Sequence, residues 1–561
     1  MQFDYNLIET YAASFRDNFD LPALTDYDTD HPTLTYGMMA ERIAGLHLLF
    51  NSLDIKPGDK VAICGKNSSE WVIAFMSTLT YGAVLVPILH EFSPDDITSI
   101  ANHSDAVLMF VSDSIFSHLD FEKFPETKAF ISLDDSLKVL AERGSKKASN
   151  IIAGLAKEMR RWLCGREFGA RDINYKSIRG SNTAIINYTS GTSGFSKGVM
   201  LTMDNLGGNV KFGVDSQLHY SGSRCLSFLP LAHAYGCAFD LLVPLAVGTH
   251  VTFLGKTPTP RTLIKAFAEV KPNLVLCVPL ILEKIYKKLI VPALSKRSVR
   301  AGLMIPGVDR LIYRQVRQKL NRAFGGAFEE IIVGGAPMNS QVEAFLKKIG
   351  FRFTVGYGMT ECAPLISYTP WRKYKLYSSG RTLPDLMEAR ISVDEAGRKR
   401  GENTGEILVR GVNVMKGYFK RPDLTEEALE KDGWLHTGDM GYLDEDGVTI
   451  FIQGRYKTMI LGPSGQNIYP EAIENRINVH PYVTESIVVE RDGKVCALVY
   501  PDDDALRADG VSEDKYQAAL DLAIRQINST LAPFERVGRT VLMSEPFEKT
   551  PKKSIKRYLY K

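Results

Sequence analysis

Short apolar runs alternate with stretches of helical pattern from about residue 60, and this alternation constrains the fold more than any other feature. The runs are KVAIC, AVLVPI, AVLMFV, TAIINY, LVLCV and EEIIVGG, each followed by turn residues and a helical pattern. Uninterrupted apolar runs of this length are typical of strands that a parallel sheet buries on both faces. The sequence therefore predicts an α/β protein with doubly wound, mainly parallel sheets.

The pattern changes after about Thr382 and again after Arg455. The runs EARISV, GEILVR and GVTIFIQGR, with turns at DEAG and DEDG, predict a more antiparallel region that closes a large domain over residues 1–455. Strand and helix patterns in residues 456–561 predict a separate small α+β domain. A length of 561 residues agrees with this division, because it exceeds what one ordinary core supports.

Cysteines and histidines are scattered along the chain. The seven cysteines form no Cys-x-x-Cys pair, and the ten histidines show no spacing typical of a metal site. This pattern argues against a disulfide framework and favours a reducing compartment. Residues 1–20 carry acids and lack the apolar core of a secretory signal, so a cytoplasmic location is expected.

One uncharged stretch, Trp71 to Leu89, is long enough to suggest a membrane span. It contains several hydroxyl residues together with Gly82 and Pro87. We therefore predict that it is the end of a helix, a turn and a buried strand.

The net charge of +3 conceals three basic segments. Residues 143–171 carry eight Lys or Arg and two acids, residues 284–322 carry eleven and one, and residues 545–561 carry six and two. Such segregation indicates anionic partners, namely phosphates, a carboxylate substrate or a membrane surface. Solvated helix faces explain any single segment equally well.

Residues 151–163 have the pattern of a basic amphipathic helix. Apolar side chains recur at helical spacing opposite basic ones; the apolar set is Ile151, Ile152, Leu155, Met159, Trp162 and Leu163, and the basic set is Lys157, Arg160 and Arg161. Peripheral contact with a membrane is one interpretation. The other is a helix packed on its own domain.

The segment Thr189–Gly198 concentrates glycine, hydroxyl side chains and one lysine directly after the strand TAIINY. Glycines leave backbone N–H groups accessible, and hydroxyls with a lysine add further donors, which suits a polyphosphate. The Gly-Lys-Ser/Thr ending of a Walker A loop is absent. Gly194 to Gly198 also fits the Gly-x-Ser-x-Gly elbow of a serine hydrolase, with Ser196 as nucleophile, although the strand ends too early for that geometry. An ordinary flexible loop is the third interpretation.

The loop resembles the phosphate-binding motif of the acyl-adenylate-forming superfamily. Further motifs follow in the family's order: LPLAHAYG at 229–236, VGGAP at 333–337, GYGMTECAP at 356–364, GEILVRG at 405–411, GWLHTGDMGYLDEDG at 433–447 and GRYKTMI at 454–460. The segments KPNLVLCVPLILEKIYKK and VRQKLNRAFGGAFEEIIVGGAP are most similar to the AMP-forming long-chain fatty acyl-CoA synthetases. The resemblance implies a large domain of doubly wound subdomains plus a distorted β-barrel, and a small mobile α+β domain at the C-terminus.

The resemblance also implies roles for individual residues. The phosphate loop would comprise Thr189, Ser190, Gly191, Thr192, Ser193, Gly194 and Lys197. The adenosine site would comprise Gly334, Gly335, Ala336, Tyr357, Gly358, Met359, Thr360, Asp439 and Arg455, with Lys457 at the hinge between domains. Within this set, Tyr357 would stack on adenine, and Asp439 would accept hydrogen bonds from the ribose hydroxyls beside Arg455.

The implied chemistry is the attack of a carboxylate on the α-phosphate of ATP, followed by transfer of the acyl group to the thiol of CoA. Glu361, with Thr189, would hold Mg²⁺, and Thr360 would contact the phosphates. His233 would lie against the reacting carboxylate. Apolar positions in 233–240, 275–280 and 332–336 would line an acyl pocket and favour a medium- or long-chain fatty acid.

The C-terminus departs from the family pattern. The tail KTPKKSIKRYLY places Ser554 where the family has a lysine that reaches the carboxylate and the α-phosphate. We hypothesise that Lys553 takes this role, since a lysine is a flexible point charge. Thr458, at a position where an acid is common in the family, is a second departure near the hinge.

The leading hypothesis is an ATP-dependent carboxylate–CoA ligase that uses ATP, Mg²⁺ and CoA and binds no nucleic acid. Three alternatives stay open: transfer of the acyl group to a carrier protein, a catalytically impaired homologue that lacks the C-terminal lysine, and the serine hydrolase.

Overall fold

The computed structural model describes residues 3–135, 137–144, 147–190, 196–294, 296–393, 403–461, 467–491, 493–550 and 555–560. Strands β1 to β9 are Pro22–Asp26, Leu34–Thr35, Lys60–Cys64, Val84–Ile88, Ala106–Val111, Ala129–Ser132, Val139–Glu142, Thr183–Ser190 and Ser196–Thr202. Strands β10 to β17 are Arg224–Ser227, His250–Phe253, Leu274–Cys277, Glu330–Val333, Phe353–Val355, Tyr357–Gly358, Leu365–Tyr368 and Arg381–Thr382. Strands β18 to β27 are Met387–Ser392, Gly405–Gly411, Gly417–Tyr418, Leu435–Leu443, Ile450–Arg455, Ile460–Leu461, Asn467–Ile468, Val483–Arg491, Lys494–Pro501 and Arg539–Leu542.

The helices lie between these strands. Helices α1 to α7 are Leu7–Asp17, Tyr36–Ser52, Ser69–Tyr81, Pro94–His103, Asp113–Phe116, Lys147–Trp162 and Met203–Asp215. Helices α8 to α14 are Ala234–Gly236, Val243–Val247, Pro260–Val270, Pro279–Leu289, Val291–Leu294, Arg297–Leu303 and Val308–Ala323, with a π-helix over Cys237–Leu242. Helices α15 to α19 are Ser340–Lys348, Pro422–Ala428, Pro470–Ile477, Asp503–Ala508 and Tyr516–Asn528. Across the described ranges, no helix combines the length and the apolar composition that a membrane crossing requires.

An eight-stranded mixed sheet, in the order β20-β9-β8-β4-β3-β5-β6-β7, forms the centre of the first half of the chain. Strands β8, β4, β3, β5 and β6 are paired in parallel, which confirms the prediction from the apolar runs. The stretch Trp71–Leu89 supplies most of α3, which ends at Gly82 in the left-handed region (φ 86°), and then β4. It is therefore a helix end, a turn and a buried strand, as predicted.

A second layer of strands carries the segments after α7. Strands β10-β11-β1-β2 form one sheet, and β12-β13-β14 form a parallel sheet beside it. The two sheets meet where the amide of Asn273 donates to the carbonyl of Arg224 at 2.9 Å. LVLCV and EEIIVGG are thus parallel strands, as predicted, and the loops after them lie at the same edge.

The region after β14 is antiparallel, as predicted, but it is not the expected distorted barrel. Strands β15-β16-β17 and β18-β19-β21-β22 form two separate sheets. A β-bridge between Arg381 and Thr449 and a few backbone hydrogen bonds beside it, such as Thr382 N to the carbonyl of Val448 at 3.0 Å, join them. Strands β15 and β17 have only two residues each, so they offer too little edge to continue the pairing into a closed ring.

The chain beyond Arg455 packs around its own apolar side chains. Strands β25-β26-β27 form a sheet with α17 and α19 against it, and Ile473, Val488 and Leu520 lie in its core. The apolar core of the preceding chain extends from Leu7 to Ile450 and does not include these residues.

Helix α6, the predicted amphipathic helix, packs on α2 of its own domain. Ile152, Leu155 and Met159 face a cavity of about 970 Å³ that is also lined by Leu46 and Phe110. The structure thus agrees with the second interpretation of this helix, in which its apolar face is directed at the protein. All seven cysteines lie within the described ranges and are free thiols.

Candidate active site

The glycine- and hydroxyl-rich segment closes an antiparallel hairpin between β8 and β9. Thr189 pairs with Lys197 and Ser190 with Ser196, so both ends of the segment are held in a sheet. Gly191, Thr192, Ser193 and Gly194 lie outside the described residues. Ser196 begins a strand that continues to Thr202, whereas a nucleophile elbow requires a helix there, so the geometry does not support the serine hydrolase.

Lys197 and Glu361 meet through Tyr418. The Nζ of Lys197 lies 5.0 Å from the centre of the Tyr418 ring, and the Tyr418 hydroxyl donates to Oε1 of Glu361 at 2.9 Å. Burial and the negative charge of Glu361 raise the pKa of Tyr418, so the phenol keeps its proton and acts as a donor. A cation above the ring and an anion at the hydroxyl are both favourable contacts for a tyrosine.

Backbone pairing brings Tyr418 to this position. Strand β20 pairs with β9, with Tyr418 opposite Val199, and the amide of Phe419 donates to the carbonyl of Gly198 at 2.7 Å. The amide of Met415 donates to the carbonyl of Glu361 at 2.8 Å. One short segment, residues 415–419, therefore connects the β8–β9 hairpin to the loop that carries Glu361.

A buried asparagine fixes the other side of the Glu361 loop. Oδ1 of Asn209 accepts from the amide of Leu365 at 3.0 Å, and its Nδ2 donates to the carbonyl of Cys362 at 3.4 Å. Thr360 and Glu361 form a 3₁₀ turn before these contacts, and both side chains are partly exposed. Gly358 allows the chain to turn there, because a Cβ atom would lie 2.2 Å from the carbonyl oxygen of Pro364.

The donor set near Glu361 fits Mg²⁺ delivered with a polyphosphate. Within the described ranges, no three His, Cys, Asp or Glu side chains come together as a complete metal site. Mg²⁺ usually binds one or two carboxylates together with substrate phosphates. Glu361 supplies such a carboxylate, and Oε2 accepts no hydrogen bond from the residues described.

Asp439 and Tyr357 form a buried hydrogen-bonded pair. The Tyr357 hydroxyl donates to Oδ2 of Asp439 at 2.7 Å, and Nε of Arg455 lies 3.2 Å from Oδ1. Asp439 and Arg455 are direct neighbours across β21 and β22, while the Arg455 side chain is 68% exposed. The ring of Tyr357, predicted to stack on adenine, is 8% exposed with its hydroxyl bound to Asp439.

Burial raises the pKa of Asp439, and the contacts with Arg455 and Tyr357 act in the opposite direction. Burial and the carboxylate raise the pKa of Tyr357 well above its usual value. The tyrosine therefore stays a donor, and the carboxyl group is the member of the pair that titrates.

The loop after β13 exposes backbone next to this pair. Gly335 has φ +83°, and Gly335 and Ala336 are exposed. A Cβ atom on Gly334 would lie 3.1 Å from the ring of Tyr235, whose hydroxyl donates to the carbonyl of Ile332 at 3.0 Å. These glycines thus leave an accessible backbone surface where adenine is predicted to lie.

His233 lies at the start of α8, and its segment is tied to the central sheet. Asn187 on β8 donates to the carbonyl of Ala232 at 3.0 Å, and Asn67 donates to the carbonyl of Leu229 at 2.7 Å. Both asparagines hold the 229–236 segment beside the strand that ends in the phosphate hairpin. Most of the predicted acyl walls are buried and apolar, as at Val275 and Leu276, but Asp240 is a buried acid and Leu280 is 53% exposed.

The predicted hinge follows Arg455 directly. Tyr456, Lys457 and Thr458 form a 3₁₀ turn in which the Lys457 side chain is exposed. The hydroxyl of Thr458 donates to Oε1 of Glu471 at 2.7 Å, so a threonine at this position binds an acid from α17. Lys553 and Ser554 lie outside the described residues.

Sequence reasoning did not identify Tyr418 and Glu471. Tyr418 is 57 positions from Glu361 in the sequence. The pairing of β20 with β9 brings the two residues together, and a local sequence pattern does not predict pairing between distant strands. Only the glycine and aromatic residues of GYF, set in a polar stretch, mark the position.

Comparisons with known proteins agree with this geometry. The family model of AMP-binding enzymes matches residues 12–419, and that of the AMP-binding enzyme C-terminal domain matches residues 458–560. The chain is 28% identical to the long-chain-fatty-acid–CoA ligase FadD15 of Mycobacterium tuberculosis, over 92% of this chain and 88% of the relative. It is 30% identical to long-chain-fatty-acid–CoA ligase 6 of Mus musculus, over 83% of this chain and 69% of the relative.

Solved structures share the fold over nearly the whole chain. The anthranilate CoA ligase AuaEII in complex with anthranoyl-AMP superposes with a TM-score of 0.76 at 17% identity, covering 100% of this chain and 97% of the other. O-Succinylbenzoate coenzyme A synthetase from Bacillus subtilis, in complex with ATP and magnesium ion, gives 0.72 at 21% identity and 99% coverage of both.

We predict that Tyr357→Phe moves the pH dependence of AMP binding upward. In the predicted adenosine site only the ionised Asp439 would accept from both ribose hydroxyls, so affinity for AMP should be present above the pKa of this group and lost as pH falls through it. Removing the donor raises that pKa further, by about one unit for one hydrogen bond to a charged group. Calorimetric titration of AMP at a series of pH values measures the midpoint.

Tyr374→Phe is the matched control, because the Tyr374 hydroxyl also donates to a buried carboxylate, Oε1 of Glu343, at 2.6 Å. It should leave the midpoint of AMP binding unchanged. Equal midpoints in the wild type and Tyr357→Phe would contradict the role of the pair.

Proposed function

This chain belongs to the family of AMP-binding enzymes, and we propose on that basis that it activates a medium- or long-chain fatty acid. The protein is an ATP-dependent, AMP-forming carboxylate–CoA ligase that uses ATP, Mg²⁺ and CoA. The observation that carries the proposal is the contact of Tyr418 with both Lys197 and Glu361. This contact places a cation and a carboxylate beside the β8–β9 hairpin.

In the first half-reaction, a carboxylate oxygen of the fatty acid attacks the α-phosphorus of ATP, and the bond to pyrophosphate breaks. In the second, the CoA thiol attacks the acyl carbon, loses its proton, and AMP leaves. Such displacements depend on positioning and on neutralising charge. Lys197 and the hairpin donors would bind the departing phosphates, while Asp439 and Arg455 would hold the ribose.

Mg²⁺ would be held by Glu361 and Thr189 together with the phosphates, and when bound it supplies charge neutralisation at the phosphoryl oxygens. Tyr418 orients the Glu361 carboxylate through its 2.9 Å hydrogen bond. Thr360 would contact the phosphates, and His233 would lie beside the fatty acid carboxylate.

A fatty acid fits the apolar walls predicted for the acyl site, and relatives named long-chain-fatty-acid–CoA ligases support the same class. These names also favour CoA over a carrier protein as the acceptor. Peripheral contact with a membrane remains part of the proposal, since the substrate partitions into lipid.

We also propose that residues 1–455 and 456–561 are two domains that pivot about Lys457. The separate apolar cores support this division. Polar contacts join the two parts: Lys287 Nζ donates to the carbonyl of Asn478 at 2.8 Å, and Asn339 Nδ2 donates to the carbonyl of Asn475. Both acceptors lie at the C-terminal end of α17, where unpaired carbonyls attract a cation.

We expect fatty-acid-dependent ATP–pyrophosphate exchange, and thioester formation when CoA is added. Glu361→Gln should lower the exchange rate on the order of 100-fold, because the charge that holds Mg²⁺ near the phosphates is lost. The test is exchange of labelled pyrophosphate over a panel of carboxylic acids. Glu426→Gln, an exposed acid on α16, is the matched control and should exchange like the wild type.

Two results would refute this assignment. Ester cleavage without ATP would indicate the hydrolase, and nucleotide binding without exchange for any acid would indicate an impaired homologue.

Lys553→Ala should lower pyrophosphate release while leaving CoA transfer from supplied acyl-AMP intact. The positive charge assists only the step in which the carboxylate meets the α-phosphate. Lys552→Ala, the neighbouring lysine, is the control and should retain both steps. Unimpaired pyrophosphate release in Lys553→Ala would show that another residue replaces the family lysine.

Lys287→Met should change the two half-reactions in opposite directions. Its hydrogen bond stabilises one of two domain orientations, so its loss shifts their ratio by on the order of tenfold. Exchange and acyl-AMP-dependent thioester formation are measured in parallel. Lys284→Met, an exposed lysine on the same helix, should alter neither; parallel losses in Lys287→Met would reject the pivot contact.

A further inference from the structure

A helical hairpin of the large domain presents apolar side chains to solvent. Helices α13 and α14 are joined by residues 304–307, and four exposed apolar residues lie at this end of the hairpin: Met304 (84% exposed), Ile305 (53%), Val308 (37%) and Leu311 (60%). We call these four residues the 304–311 surface. Isolated exposed apolar residues are ordinary, but four within eight positions form a patch that needs an explanation.

The hairpin is a packed structure. A Cβ atom on Gly302 would lie 2.9 Å from Cδ1 of Ile312 and 3.3 Å from Cγ1 of Val308, so the two helices touch closely. Val316 and Leu320, further along α14, are buried in the core. The 304–311 surface is therefore the outer end of an anchored element and projects from the protein.

Unpaired positive charge surrounds this surface. Residues 284–322 carry eleven Lys or Arg and one acid. The side chains of Arg297, Arg300, Arg310 and Arg314 are exposed, and none of them forms an ion pair with a residue that the structure describes. Elsewhere on the surface exposed arginines do have acidic partners, as in the pair of Arg390 with Glu430 at 2.7 Å.

We propose that the 304–311 surface docks the protein on an anionic lipid membrane, with its apolar side chains in the lipid interface and the arginines on the headgroups. A protruding apolar end bordered by arginines matches the interface, which is apolar inside and negatively charged outside. Recognition of a peptide helix, by contrast, uses a groove. The four apolar side chains, which are 37% to 84% exposed, do not form the buried lining of such a groove, and this favours a membrane over a peptide helix.

The position of the hairpin gives this docking a use in the reaction. Helix α11 starts directly after β12 and Val278, and Cγ1 of Val278 lies 3.8 Å from the Cβ position of Gly335. Leu280, on the first turn of α11, is 53% exposed. The hairpin contacts α11 through α14. A fatty acid leaving the membrane would thus enter near the predicted acyl walls; this step rests on the proposed function, whereas the docking itself does not.

The basic helix α6 differs from this surface. Ile152, Leu155 and Met159 of α6 face a cavity of the large domain, so α6 offers lipid a single large exposed apolar side chain, Trp162 (44% exposed), whereas the 304–311 surface offers four. Arg160→Gln/Arg161→Gln therefore removes surface charge without changing the 304–311 surface, and serves as the matched control.

The test is co-sedimentation of the full chain with phosphatidylcholine vesicles, with and without phosphatidylserine. The wild type should bind only the vesicles that contain phosphatidylserine. Arg300→Gln/Arg310→Gln/Arg314→Gln should weaken binding about 100-fold, from a factor of about five for each arginine near the lipid surface. Met304→Ser/Ile305→Ser should weaken it at least about tenfold.

Unchanged thermal unfolding of each variant would confirm that the exposed substitutions leave the fold intact. The proposal is overturned if the wild type does not bind anionic vesicles, if the hairpin variants bind like the wild type, or if the α6 variant loses binding equally. Because the assay contains no ATP, fatty acid or CoA, normal vesicle binding with no pyrophosphate exchange would reject the proposed function alone.

Discussion

The contact between Tyr418 and Glu361 is the interaction on which the candidate active site depends. Strand β20 adds to the edge of the central sheet beside β9, and this pairing places the tyrosine between the hairpin lysine and the carboxylate of a distant loop. A carboxylate held by one hydrogen bond keeps a fixed direction while its second oxygen can bind a cation. Tyr418 therefore brings the β8–β9 hairpin and the loop of Glu361 together, although the two segments are far apart in the sequence.

The predicted adenosine site differs from the Glu361 site, because its carboxylate is buried and partly neutralised, whereas Glu361 is partly exposed. Asp439 is 7% exposed, and Tyr357 and Arg455 oppose the increase in its pKa that burial causes. Arg455 is also the last residue of β22, and the hinge turn begins at the next residue. In the proposed function, recognition of the ribose and the orientation of the small domain would thus be coupled through a single strand end.

Local pattern predicted the elements of the fold better than the contacts of the site. The parallel strands were readable because apolar runs such as those of β3 and β5 are almost wholly buried. The roles that the motifs assign to Glu361 and Asp439 stay predictions; the structure places Glu361 in a 3₁₀ turn and Asp439 within β21. The Tyr418 contact and the open form of the antiparallel region depend on pairing between distant strands, which composition does not encode. For α6, an amphipathic pattern specified a helix but not which surface would cover it.

The two parts of the chain have separate apolar cores, so one part could rotate against the other between the two proposed half-reactions. Rotating a unit that keeps its own core exposes little apolar surface, so the cost of changing orientation lies mainly in polar contacts such as those of Lys287 and Asn339 with carbonyls of α17. Water replaces hydrogen bonds of this kind at a small net free-energy cost, about 1 kcal/mol each. In the proposed two-domain motion, such contacts would be strong enough to favour one orientation and weak enough to release it within a catalytic cycle.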